Sequence, residues 1–147
     1  MPTDAAAGPG GEAARIQVPP SCDLTLGMVC RDKAQPGRGV WQMVADERFA
    51  NPAGVVQGGF LAAFADSAMG AAVLTWARDR AGGGPVRSAN AELKVSFLRP
   101  VRVGSTLTCS AQVLSGGKRA AFAEAEVTDD DGRLVAKASS TYLVGPR

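Results

Sequence analysis

The chain is predicted to be α+β, one long helix laid on one face of an antiparallel sheet, and three observations carry that reading. The segment that begins near Gly58 is apolar over about twenty residues and stops at the glycine run AGGG, 81–84, where a helix cannot continue. After it, apolar residues recur at every second position: Ala91, Leu93, Val95 and Phe97, then Leu107, Cys109, Ala111 and Val113, then Ala121, Ala123, Ala125 and Val127. That is the period of half-buried strands. Turn chemistry separates the later runs, with SGGK at 115–118 and DDDGR at 129–133.

The elements follow in order. Residues 1–20 hold acids and Pro/Gly clusters and are predicted to be a mobile arm ahead of a single domain over 21–147. Residues 24–32 are predicted extended, QPGRG is a turn, and 40–45 resume as strand, which makes an opening hairpin. ERFANPAG, 47–54, is loop chemistry leading into the helix. Pro100 ends the first strand after the helix, and 134–144 form the last. The predicted order is two short strands, one helix, then four strands in a meander.

Composition narrows the function. The 147 residues are 46% hydrophobic and 20% charged with a net charge of +2, which gives no basic surface for nucleic acid but tolerates an anionic small molecule. Cys22, Cys30 and Cys109 are scattered and odd in number, as expected of reduced thiols in a cytoplasmic protein. Residues 60–77 approach the length of a membrane span, but Asp66, Ser67, Gly70 and Thr75 interrupt them, so a buried central helix is the expectation. The chain contains no histidine. Ser-His and Cys-His hydrolase chemistry is therefore excluded, no zinc cluster can be assembled, and SGGKR lacks the spacing of a phosphate loop. Neither metal nor cofactor is expected.

The helix itself raises two questions. Its larger residues, Phe60, Phe64, Met69, Val73, Leu74 and Trp76, are spread round the circumference rather than along one stripe. Burial nearly all round is predicted, and because one sheet covers only part of a helix, a second copy is expected to cover the rest.

Asp66 is the other question, a lone acid with no cationic partner three or four positions away. One reading makes it a structural hydrogen-bonding group at the subunit contact. The other makes it a catalytic carboxylate, because Gly58 and Gly59 stand where unpaired N–H groups and the helix dipole can hold a developing oxyanion. The glycines have a plainer reading too, as a close-packing device. Gln57 and Asp66 are nine residues apart, about 13.5 Å along a helix axis and out of phase. One helix cannot bring both to one substrate, whereas an antiparallel pair can.

NPAGVVQGGFLAAFADSAMG, followed by AELKVSFLRPVRVGS, resembles the hot-dog-fold acyl-CoA thioesterases of the phenylacetate-pathway type, over most of the chain. The resemblance implies a curled antiparallel sheet around a central helix, dimers that pair into tetramers, and hydrolysis of the bond between an acyl group and coenzyme A. It implies roles as well: Asp66 as general base or nucleophile, the Gly58 N–H as oxyanion donor, and Asn51 orienting water or carbonyl. Asn90 stands where relatives tend to carry Ser or Thr. Gln57 stands where they carry histidine; it can donate a hydrogen bond but does not titrate near neutral pH.

Gly59, Val56 and Phe60 are candidates for the substrate channel, and Lys118 and Arg119 for the coenzyme A phosphates, against the default of solvated surface charge. A noncatalytic acyl-CoA-binding protein is the alternative reading. A hot-dog dehydratase is third, because those enzymes lean on a histidine that is missing here.

Overall fold

The structure, a computed structural model, describes residues 19–147, so the expected arm at 1–20 lies outside the described residues apart from Pro19 and Pro20. The elements are α1 (Ser21–Leu26), β1 (Val29–Asp32), β2 (Arg38–Val44), a single 3-10 turn (Glu47–Phe49), α2 (Gly58–Arg80), β3 (Val86–Phe97), β4 (Thr106–Gly116), β5 (Ala120–Thr128) and β6 (Leu134–Pro146). The six strands form one antiparallel sheet in the order β1-β2-β4-β5-β6-β3. With α2 laid across it, this is the hot-dog fold the sequence resembles.

Two expectations need correction. The stretch predicted to be extended from residue 24 starts as helix, because Asp23 lies in the first turn of α1 and Gly27, at φ 67°, closes it by donating to the carbonyls of Asp23 and Leu24. The strand begins only at Val29. The four later strands are not one meander: β4, β5 and β6 are, but β3 pairs with β6 at the sheet edge and β4 lies against β2. As expected of a single sheet, the chain covers only part of the helix.

The inward stripe of α2 is Leu61, Phe64, Ala65, Ala68, Met69, Ala72, Val73 and Ala77, at the i, i+3, i+4 spacing of one helix face. It packs on Leu107, Cys109, Ala111, Ala121, Ala123, Ala125 and Val127, whose small side chains let the sheet curl close to the helix. Burial of each large side chain contributes roughly 1.5–3 kcal/mol. Burial also pushes the Cys109 thiol up to about 12, so it packs as an inert apolar group. On the opposite face Gly59 and Ala63 are exposed and Ser67 and Leu74 are half-buried. By length and composition α2 would cross a membrane. Its buried stripe on the sheet is that of a core helix.

Trp76 closes the far end of α2. A Cβ on Gly116 would run into its indole, and Gly37 meets the ring in a left-handed backbone conformation at φ 80°, so both turns approach it as glycine. Arg80 covers the ring at 4.9 Å.

Strand β3 departs from simple alternation. It has only one neighbour, and Leu93 and Phe97 are 39% and 54% exposed. A bulge lies between Asn90 and Glu92: Asn90 pairs with Tyr142 and Glu92 with Thr141, leaving Ala91 as the extra residue. The Glu92 carboxylate accepts from the Thr141 N–H at 2.7 Å, which satisfies a main-chain donor at the irregularity.

Candidate active site

The loop before α2 builds a mouth of free donors. Asn51 Oδ1 accepts from the N–H groups of Ala53 (2.9 Å) and Val55 (3.3 Å), and the Asn51 N–H donates to the Val55 carbonyl at 2.8 Å. The side-chain oxygen thus folds the loop, and Nδ2 is left as a donor without a partner among the described residues. Val56 donates to the Val101 carbonyl at 2.9 Å and is 6% exposed, which places it in the core. Gln57 is the N-cap of α2, exposed, with its own N–H bonded to the Phe49 carbonyl at 2.8 Å and no side-chain capping bond.

Gly58 and Gly59 therefore begin the helix with N–H groups that no side chain caps. A Cβ on Gly58 would lie 2.7 Å from the tip of the half-exposed Phe97 ring, which packs against the helix start, while Gly59 faces open space. Phe60 is half-buried and stacks on Phe49 with ring centroids 4.3 Å apart.

Two helical turns on, Asp66 is not alone. Its Oδ1 accepts from Asn90 Nδ2 at 2.7 Å and from the Tyr142 hydroxyl at 2.8 Å. That hydroxyl also lies 3.0 Å from the Asp66 main-chain oxygen. Asn90 Nδ2 makes a second bond, to Ser140 Oγ at 3.0 Å, and Ser140 in turn donates to the Glu92 carbonyl at 2.6 Å. Burial, and next the Asp66 carboxylate at its hydroxyl, hold the Tyr142 proton on well above the usual phenol range. Two acceptors are left over, Asp66 Oδ2 and Asn90 Oδ1, with no partner among the described residues.

The chain thus brings Asp66 and Asn90 together, and separately Asn51, Gln57, Gly58 and Gly59. The eight residues from Gly58 to Asp66 keep the two groups about 12 Å apart along one helix. Lys118 and Arg119 stand elsewhere, exposed at the β4–β5 turn; Lys118 lines a cavity of about 400 Å³ with Trp76 and Arg80. Tyr142 and Ser140 were not among the site residues expected from sequence. The signal for them was present, since both fall in phase with Ala138 on the inward face of β6 and are polar where apolar residues belong.

Comparison with known proteins identifies the family. Residues 53–136, more than half of the chain, match the model of the thioesterase superfamily. Acyl-coenzyme A thioesterase 13 of Homo sapiens is 26% identical over 124 residues, 84% of each chain. A crystal structure of a phenylacetic acid degradation-related protein from Ralstonia eutropha is 32% identical, superimposes with a TM-score of 0.76, and covers 86% of this chain and 92% of its own. The PaaI protein of the E. coli phenylacetic acid degradation operon has the same TM-score at 24% identity, over 84% of this chain and 83% of its own, and shows the likeness of fold alone. With that family match, the sheet-wrapped helix and the carboxylate held beside it, the chain belongs to the thioesterase superfamily.

Proposed function

We propose that the protein hydrolyses acyl-CoA thioesters at two equivalent centres, each shared between two copies of the chain. The observation that carries this reading is the Asp66 carboxylate, tied through one oxygen and open at the other, just over two turns along the helix from N–H groups its own chain cannot deliver to it. An antiparallel pairing of two α2 helices with its two-fold axis near Ala62, the midpoint of Gly58 and Asp66, sets the amides of each copy against the acid of the other. The open face of Gly59, Ala63 and Ser67 has small side chains that permit such an approach. The unpaired edge of β3 is a second surface that favours a partner.

At such a centre the thioester carbonyl oxygen accepts from the Gly58 N–H, with Asn51 Nδ2 and the Gln57 amide as further donors. A water donates one proton toward Asp66 Oδ2 and the other to Asn90 Oδ1, the two acceptors left unused. As the water oxygen attacks the carbonyl carbon, Asp66 takes the proton; the tetrahedral intermediate then expels coenzyme A as thiolate. A thiolate is stable enough to leave without an acid catalyst. Asp66 as direct nucleophile, through a mixed anhydride, is the other route for the same residues.

The deciding experiment is thiol release from a panel of short, medium, long and aryl acyl-CoA substrates. Turnover of any class supports the reading. Ligand-dependent thermal stabilisation without release on any of them establishes the noncatalytic binding protein instead.

Lys118 and Arg119 are assigned to the coenzyme A phosphates by their position at the β4–β5 turn. Trp76 lies ten residues beyond Asp66, about 15 Å along the axis, a span of the order of an extended pantetheine arm. Charge reversal at either basic residue is expected to raise KM about 2- to 5-fold at unchanged kcat, the size of an exposed ionic contact. Steady-state kinetics at low and high salt check it, since the effect must shrink as salt rises.

A further inference from the structure

We propose that Tyr142 is a positioning residue for the Asp66 carboxylate, and that its hydroxyl, together with the Asn90 amide, decides which oxygen of the acid does the chemistry. This rests on the hydrolytic reading above and extends it to a residue on the opposite side of the helix–sheet boundary.

The argument is one of donors and acceptors. A carboxylate has two oxygens and can rotate about its last side-chain bond, so an acid held by one donor samples both faces. Here Oδ1 receives two donors, from different strands: Asn90 on β3 at 2.7 Å and Tyr142 on β6 at 2.8 Å. Charge-assisted bonds of that length from two directions fix the plane of the group. The oxygen that remains, Oδ2, is the one available to a water.

Tyr142 is suited to permanent donation. It is 2% exposed, so its ring is clamped by the core, and its proton stays on for the reason already given. Its hydroxyl faces Asp66 from α2, Asn90 from β3 and Ser140 on its own strand. Gly70, one turn after Asp66, leaves the space it enters: a Cβ there would lie 3.7 Å from the hydroxyl oxygen. The opposite polarity, Tyr142 as acid for the departing sulfur, is excluded by the same geometry, since its single proton is already directed at Asp66. Ser140 plays the matching part for Asn90. By accepting one N–H at 3.0 Å while its own proton goes to the Glu92 carbonyl at 2.6 Å, it orients the amide so that Nδ2 meets the acid.

The test is Tyr142→Phe, which keeps the ring and removes only the oxygen. Loss of one charge-assisted bond at the base is expected to lower kcat about 10- to 100-fold with KM within twofold of wild type. Adding Tyr142→Phe to Asp66→Asn should cause no further loss, because the hydroxyl acts through the acid. Isotope-edited infrared spectroscopy gives a readout independent of turnover: the carboxylate bands of Asp66 should shift in Tyr142→Phe. Wild-type kcat in Tyr142→Phe, a fall in melting temperature with kcat unaltered, or unmoved carboxylate bands would each overturn the proposal while leaving the thioesterase reading standing. A wild-type protein that releases no thiol from any acyl-CoA overturns both.

Discussion

Asp66→Asn loses thiol release by about a hundred- to ten-thousand-fold, the usual worth of a positioned general base, and retains its fold. The substitution is isosteric, and an amide oxygen at the Oδ1 position still accepts from Asn90 and Tyr142, so the network that ties α2 to β3 and β6 survives. What disappears is the proton acceptor at the second position. Substrate binding is expected to persist, so KM should change little while kcat collapses, and Asp66→Ala should be equally inactive but less stable. Thermal unfolding and steady-state kinetics on the two variants separate these effects. Turnover within threefold of wild type in Asp66→Asn would remove the acid from the mechanism. A single turnover in oxygen-18 water then distinguishes the routes: label in the Asp66 carboxylate marks the anhydride, and label confined to the acyl product marks the base.

The fold was legible from two local signals, helix length and strand alternation, because both are written in consecutive residues. Ala121, Ala123, Ala125 and Val127 all face the helix as their spacing requires. Strand order was not legible. Whether β3 pairs with β4 or with β6 is a matter of long-range contact, and the sequential-neighbour expectation gave a meander that the register of β3 with β6 replaces. In α1, residues 24–26 are apolar or β-branched and pass for strand; the αL cap at Gly27 and the acid in the first turn decide otherwise. The candidate site shows the same division. Asp66, Gly58 and Asn51 sit in one motif, and Asn90 could be placed by counting from Pro100. Tyr142 is 76 residues from Asp66, and the bulge at Ala91 that aligns Asn90 with it is invisible to a period-two reading. The apolar residues spread round α2 pointed to more burial than one sheet supplies, and the sheet does cover only the stripe that includes Leu61, Phe64 and Ala68.

That uncovered face is where the second large effect is expected. Ala63 is exposed in the single chain, one turn after Gly59 and three residues before Asp66. Arginine there is compatible with the fold of one chain, since a solvated helix position accepts it at little cost in propensity. Between two antiparallel helices whose axis passes near Ala62 it is not, because two long cations would meet each other across the two-fold. Ala63→Arg should therefore sediment as a 15.0 kDa species with native far-ultraviolet circular dichroism. Its kcat/KM should fall at least about a hundredfold, as when an oxyanion donor is removed, because Gly58 of one copy no longer reaches Asp66 of the other. Ala63→Ser, small enough to keep the contact, should remain associated and active. A monomeric Ala63→Arg with wild-type turnover would mean that one chain completes the centre unaided, which the roughly 12 Å rise between Gly58 and Asp66 does not permit for a single thioester carbonyl and its attacking water. Association and catalysis are thus predicted to fail together, and a variant that separates them locates the reaction elsewhere on the chain.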